Sequence, residues 1–203
     1  MRKYPNLIRD YTPLAPNKLW VSDITYIETK YGFAYLSLIT DAYSRKIVGW
    51  NLSNRLDSES TVKALKMALS ELPERETKLI HHSDRGSQYC SSKYVNLLNQ
   101  YKIAISMTES GDPLENAIAE RVNGILKMEW LHNSCPETFV EANNLIRKIV
   151  LLYNNERPHQ SLDYQVPSLI HETGMKTKRK WKTYYRRISN FDTSCQGISV
   201  QNL

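Results

Sequence analysis

Three acidic residues stand where chemistry could use them. Asp84 and Glu120, with thirty-five residues between them, both fall in the stretch HHSDRGSQYCSSKYVNLLNQYKIAISMTESGDPLENAIAERVNGILK. Asp23 lies far upstream, in LWVSDITYIET. Taken alone, each has an ordinary reading. A helical glutamate is usually solvated, and a strand aspartate can exist only to bond neighbouring backbone. Yet Asp84 follows an apolar lead-in, KLIHHSD, that reads as a strand ending at the aspartate. Ligands collect at the C-terminal ends of strands in α/β sheets. Asp23 interrupts a β-branched and aromatic run, where aspartate is disfavoured and needs a reason. The rest of the chain reads as the apparatus that gathers these three carboxylates.

The run PLENAIAERVNGILKMEWL carries a helical pattern, with Pro113 suited to its first turn. Leu114, Ile118, Val122 and Ile125 make one apolar face. Asn116, Glu120, Asn123 and Lys127 recur at similar steps on another, so Glu120 points away from the apolar stripe. Asp112 and Glu115 are rival acids, but Glu115 lies about 140° from Glu120 around the helix, and one helix cannot aim both at one point. The preceding TESGDP predicts a mobile loop.

The elements that must position these groups alternate between strand and helix. Strands are expected over 19–29, 31–42 and 45–53, the first two joined by a hairpin turn at Tyr31-Gly32. In the second, Ala34, Leu36 and Leu38 face one way and Tyr35, Ser37 and Ile39 the other. Asp41 and Arg45 flank the next turn and read as a turn cap and an ion pair. A helix over 58–72 is capped by Asp57 or Ser58, with Val62, Leu65, Leu69 and Leu72 inward. A strand over 77–82, a helix over 93–100, a strand over 103–107 and a helix over 136–154 follow. In the last helix, Phe139, Leu145, Ile149 and Leu152 are the expected buried positions. The pattern says α/β with a mixed five-stranded sheet and flanking helices.

Five motifs in order, WVSDITYI, YLSLITDAYSRKIVGW, HHSDRGSQYCS, GDPLENAIAERVNGILK and YNNERPHQSL, resemble the integrase-type catalytic core of bacterial insertion-sequence transposases. The closest likeness is to the second-reading-frame subunit, and it runs from about Lys18 to about Pro167. The spacing of Asp84 and Glu120 is the one this acidic-triad superfamily is known for. The resemblance implies a ribonuclease H-like fold and metal-dependent DNA cleavage and strand transfer during transposition. It carries over Asp23, Asp84 and Glu120 as catalytic and metal-binding residues, with Mg²⁺ or Mn²⁺, two per site.

That implied chemistry has a physical logic. Carboxylates within about 4 Å repel by a few kcal/mol per pair at an effective dielectric near 20. A divalent cation reverses the sign, and hard oxygen ligands select Mg²⁺ or Mn²⁺. Two such ions roughly 3.5–4 Å apart can flank a scissile phosphate. Asp23 would then be shared, with Asp84 and Glu120 each completing one ion. Lys127, two turns on from Glu120, would contact a phosphate or base near the transposon end, although a plain surface lysine reads nearly as well.

Composition bounds the alternatives. At 41% hydrophobic residues, a globular core is expected. The net charge of +6 suits a polyanionic partner. There is no apolar run long enough to span a membrane and no signal-peptide pattern. Three cysteines without a CxxC pair imply a reducing compartment, no disulfide framework and no His/Cys zinc site. The expected location is the bacterial cytoplasm, on the nucleoid.

Residues 1–17 read as a basic linker or arm, 18–170 as the catalytic core and 171–203 as a basic tail. Members of the family usually carry a helix-turn-helix DNA-binding region upstream. None is visible here, so the chain reads as a truncated copy, an isolated domain or one part of a system whose DNA-binding subunit is separate. The family implies a homo-multimer on paired DNA ends. In YNNERPHQSL, Arg157 and His159 are candidate DNA contacts, with a structural role as the other reading. In KTKRKWKTYYRR, Lys180 and Arg186, interleaved with Trp181, Tyr184 and Tyr185, suit phosphate contact with stacking, or else a solvated tail. Two other functions stay open. One is a catalytically silent or domesticated DNA-binding protein that keeps the fold; the other is a ribonuclease H-like nuclease acting on other substrates.

Overall fold

The computed structural model describes residues 3–73, 78–109, 116–132 and 134–177. Strands β1 (Leu19–Thr29), β2 (Gly32–Asp41) and β3 (Ile47–Ser53) form an antiparallel meander. Helix α1 (Ser58–Ser70) leads to β4 (Ile80–Ser83), then α2 (Ser92–Gln100) and β5 (Ala104–Met107). Helices α3 (Ala117–Leu126), α4 (Phe139–Asn155) and α5 (Pro167–Thr173) complete the order. The sheet runs β3-β2-β1-β4-β5, with β4 parallel to both β1 and β5. This is the expected mixed five-stranded sheet, with β1 at its centre.

Each face of the sheet buries its own core. On one, Trp20, Ile39 and Val48 meet Leu65 and Leu69 of α1 and Val95 and Leu98 of α2. On the other, Leu36, Leu38 and Ile47 meet Val122 and Leu126 of α3 and Ile146, Ile149 and Tyr153 of α4. The alternation expected in the second strand is therefore used: Leu36 and Leu38 go one way, Ile39 the other. The contact between α1 and β3 leaves no room for a side chain at Gly49. A Cβ there would stand 2.3 Å from the Ala64 carbonyl oxygen and 2.9 Å from the Ala68 methyl.

Buried polar groups fix the register between layers. Ser22 of β1 lies 2.7 Å from Nε2 of His81 on β4, which lies 2.8 Å from the Tyr94 hydroxyl of α2. All three side chains are buried, and desolvation pushes the His81 imidazole down to about 3. At the outer edge of β3, Asn154 of α4 accepts from the Ile47 amide and donates to its carbonyl, both at 2.9 Å, standing in for a neighbouring strand. The opposite edge is met by the N-terminal arm. Met107 of β5 donates to the Pro5 carbonyl, and the Leu7 amide donates to Ser106 Oγ. An edge met in this way has fewer free groups for pairing with another chain.

Several boundaries differ from the sequence pattern. Strand β4 begins at Ile80 rather than 77, because Lys78 takes a left-handed φ of 67° that a strand cannot include. Helix α4 starts at Phe139, where the Thr138 hydroxyl accepts from the Glu141 amide. Its buried stripe runs through Ala142, Ile146, Ile149, Val150 and Tyr153, so Phe139, Leu145 and Leu152 are only half-buried. The expected helix through residue 131 widens after Leu126 into a π-helical turn, Lys127–Leu131, closed by the His132 amide on the Lys127 carbonyl. The Asp41 cap forms, accepting from the amides of Asn17, Tyr43 and Ser44, but Arg45 donates instead to the Ala42 carbonyl. No described helix is long and apolar enough to cross a membrane.

Gly49→Ala should destabilise the fold by about 3 kcal/mol, since the methyl meets backbone as well as a side chain. Urea unfolding would read this directly, and a change below about 1 kcal/mol would mean that α1 can slide away at little cost.

Candidate active site

Asp23 sits in the middle of β1, opposite Leu38 of β2, with its carboxylate on the side of the sheet that α3 covers. Its Oδ1 accepts from the Ile24 amide at 2.8 Å and its Oδ2 from Asn123 Nδ2 at 2.7 Å. Burial is the largest influence on its acidity, and it outweighs those two hydrogen bonds. Asp84 and Glu120 add like-charge repulsion, and together they raise Asp23 from 3.8 to about 6. Among the described acids, Asp84 and Glu120 are the ones whose charge Asp23 feels.

Asp84 follows directly on β4, the parallel neighbour of β1, as the sequence predicted. Its exposed carboxylate is steadied by the Gly86 amide, which donates to Oδ1 at 2.9 Å. A Cβ at position 86 would approach that same oxygen to 2.9 Å, so glycine leaves the carboxylate room. Asp23 and Asp84 line one cleft of about 250 Å³, together with Tyr26, Gln88 and Tyr89. Tyr89 is buried, and its hydroxyl has no hydrogen-bond partner among the described residues.

Glu120 comes from α3, which is stitched to β1 by two amides. Asn116 donates to the Ser22 carbonyl at 3.0 Å, and Asn123 holds Asp23 two turns later. Glu120 lies between them and is exposed. Lys127 extends the stripe, its ammonium 4.0 Å from the centre of the Tyr26 ring, a cation–π contact. The polar stripe of α3 thus faces the central strand, while Val122, Ile125 and Leu126 are buried in the core. The periodicity Asn116, Glu120, Asn123, Lys127 held this signal, but it could not say what lay opposite. Glu115 and Asp112, the rival acids, lie outside the described residues.

The three carboxylates share a neighbourhood without forming a finished nest. Among the described residues, no three His, Cys, Asp or Glu side chains are gathered closely enough to hold one metal ion. Like charge explains the separation. Asp84 and Glu120 are both exposed and can turn, whereas Asp23 is held on both oxygens.

The remaining candidates lie elsewhere. Arg157 makes a forked ion pair with Glu129, at 2.6 and 2.5 Å, and so does not present a free cation. His159 is buried with its ring edge against Tyr153, and burial lowers it to about 4, leaving it neutral at physiological pH. Tyr153, His159 and Arg157 contribute to a second cavity on the other side of α3. Lys180 and Arg186 lie outside the described residues.

The chain matches the family described as "Integrase core domain" over residues 13–113 and again over 101–167. It belongs to the integrase core family. It is 40% identical over 165 residues to the transposase for insertion sequence element IS904 of Lactococcus lactis, covering 80% of this chain and 65% of that one. It is also 40% identical over 171 residues to an insertion element IS600 protein of Shigella sonnei, covering 83% and 62%. The chain therefore spans a little under two thirds of the length of these relatives. Among solved structures, the HTLV-2 integrase catalytic core in complex with magnesium superposes with a TM-score of 0.63 at 23% identity, covering 79% of this chain and 99% of that one. That likeness places the fold among the ribonuclease H-like cores expected from the motifs.

The raised acidity of Asp23 has a definite sign. Unfolded, the group titrates near 3.8; folded, near 6. Between those values the folded chain holds more protons, so stability falls as pH rises through the window and the penalty is complete above 6. Asp23→Asn removes it. Relative to the parent, the variant should gain on the order of 2 kcal/mol in stability between pH 4 and pH 7. Denaturant titrations at the two pH values would show it, and a pH-independent difference would refute it.

Proposed function

We propose that this chain is the catalytic core of a DNA transposase, a phosphoryl transferase that cuts DNA at the ends of an insertion element and joins them to a target. The observation that carries the reading is the convergence of Asp23 and Asp84 on one cleft, with Asn123 tying the helix of Glu120 to Asp23. Membership of the integrase core family supports it, as does the likeness to a named transposase.

The residues fit a divalent cation. All three offer hard oxygens, the set that Mg²⁺ and Mn²⁺ prefer. The HTLV-2 core was solved with magnesium, which supports the same choice here. Asp23, held near 6 by burial and by its acidic neighbours, is a group whose charged form a cation would favour strongly. Asp23, Asp84 and Glu120 would hold the ions, two per site. Bound there, the ions supply charge neutralisation at the scissile phosphate. Asn123 keeps Asp23 oriented and the Gly86 amide steadies Asp84. Lys127, at the end of the same stripe with its ammonium over the Tyr26 ring, would meet a backbone phosphate.

The partners follow from the reading. The substrate is DNA in the bacterial cytoplasm, and the chain works as a multimer on paired ends. The HTLV-2 core is described in trimeric and dimeric forms. The N-terminal arm, 1–17, and the tail, 171–203, are accessory to the core, and a helix-turn-helix region, joined or separate, supplies end recognition. One observation favours a second reading, a catalytically silent DNA-binding protein: the carboxylates are not gathered into an ion site.

Nicking and joining on DNA bearing the flanking element's ends, with Mg²⁺ or Mn²⁺, distinguishes the two. Glu120→Gln should reduce the rate at least about 100-fold, and Asn123→Ala about 10- to 100-fold as the loss of an orienting partner, with DNA binding retained in both. Activity that survives Glu120→Gln would remove Glu120 from the site. Metal-independent DNA binding without any cleavage, in a preparation supplied with its end-recognition region, would favour the silent reading.

A further inference from the structure

The N-terminal arm does more than border the sheet. Tyr4 packs against the core on the α1 and α2 face. The Met107 amide donates to the Pro5 carbonyl at 3.3 Å, and the Leu7 amide donates to Ser106 Oγ at 2.9 Å. Ser106 Oγ also lies 2.8 Å from Nδ1 of His82, two residues before Asp84. Ile8 packs against a third apolar cluster, built on Leu19, Val21, Ala42 and Ala119 and joined by Ile80 of β4. Val21 is two residues before Asp23, and Ala119 directly precedes Glu120. The stretch from Tyr4 to Arg9 therefore meets a cluster drawn from β1, β4 and α3, the elements that carry or lead into the three carboxylates.

Glu109, two residues past β5, is the node between the arm and the cleft. Its Oε1 accepts from the Asn6 amide at 3.1 Å, and its Oε2 accepts from the Arg9 guanidinium at 2.9 Å. Its carbonyl accepts from Arg85 Nη1 at 3.0 Å. Thr108, the residue before it, donates its amide to the Ser83 carbonyl at 3.1 Å. Ser83 and Arg85 are the two chain neighbours of Asp84. The turn that bears Asp84 is thus tied on both sides to residues 108 and 109, and the arm grips 109 by both carboxylate oxygens.

The polar part of this grip adds little to stability. Arg9 and Glu109 pair in solvent, with side chains 68% and 39% exposed, and pairs of that kind are weak. Placement is another matter. A shift of about 1 Å in a reacting group can cost about 100-fold in rate. Groups that orient metal ligands from behind typically govern affinity or activity by about 10- to 100-fold. The Asp84 carboxylate is exposed and is steadied from within its own turn by the Gly86 amide, so the placement of that turn sets where the carboxylate stands.

We propose that the arm is a positioning element for the carboxylate cleft, with Arg9 and Glu109 as its positioning residues. Through Glu109 they fix the turn of Asp84, while Ile8 seats the start of α3 ahead of Glu120. Neither Arg9 nor Glu109 touches the reacting atoms; both act through Asp84. The inference rests on the reading of Asp23, Asp84 and Glu120 as ligands of catalytic ions.

The test uses the whole chain, with Arg9→Glu, Glu109→Arg and the two combined. Both positions are exposed, so Tm should stay within about 2 °C of the parent in all three. In EDTA, hydrogen exchange of the Gly86 and Thr108 amides should quicken at least about 5-fold in each single variant. Titrated with Mn²⁺ alone, each single variant should bind at least about 10-fold more weakly than the parent. Nicking of DNA bearing the element's ends should fall in kcat by a like factor, with KM for DNA unchanged. The combined variant restores the ion pair with its poles reversed, and should return to within about 3-fold of the parent. If the parent binds Mn²⁺ and the single variants match its affinity, the proposal is overturned while the carboxylate reading stands, and the arm is only a cover for the β5 edge. A combined variant no better than the single ones also overturns it, since the two residues would then not act as a pair. A parent that neither binds Mn²⁺ nor cuts DNA refutes the carboxylate reading itself, and the positioning role falls with it.

Discussion

A carboxylate half-buried in the central strand is the constraint to which the rest of this molecule answers. Asp23 interrupts β1 where a hydrophobic residue would pack better, and burial costs its charged form enough to bring its titration near 6. Its surroundings both limit that cost and add to it. The Ile24 amide and Asn123 satisfy its oxygens, while Asp84 and Glu120 keep the local potential negative. Stability is given up at this position, and a cation of the kind proposed would restore it.

Helix α3 turns that local strain into architecture. Its amides Asn116 and Asn123 grip β1, its apolar residues fill one core, and Glu120 stands between the two grips. The neighbouring residue, Arg121, points toward the opposite cavity. Adjacent residues on one helix therefore face two chemistries of opposite charge, acidic toward β1 and basic toward the end of α4.

Much of this was legible in the chain because it rests on local rules. The alternation in β2, the hairpin turn at Gly32, the Asp57 cap and the strand that leads to Asp84 are all short-range patterns, and each is present. Where long-range packing decides, the pattern misled. The buried face of α4 is rotated toward Ala142 and Ile146, because Asn154 must reach the free edge of β3 and Tyr153 must close the cavity wall. For Arg157 and His159 the motif left DNA contact and a structural role both open, and packing sets their surroundings: one is engaged by Glu129 and the other is buried against Tyr153. Their partners lie on other turns and other elements, which no spacing within the motif reveals.

By itself, the sequence determined the order of elements, the family and which three acids to watch, since these depend on residue type, period and motif order. Only the tertiary structure decided that the polar stripe of α3 faces β1, that Asn123 rather than solvent holds Asp23, and that Arg45, Arg121 and Tyr153 enclose one void. The physical reason is that a helix pattern fixes which residues share a face, but only packing fixes what that face meets. Desolvation, orphaned polar atoms and uncompensated charge exist only once it has met something.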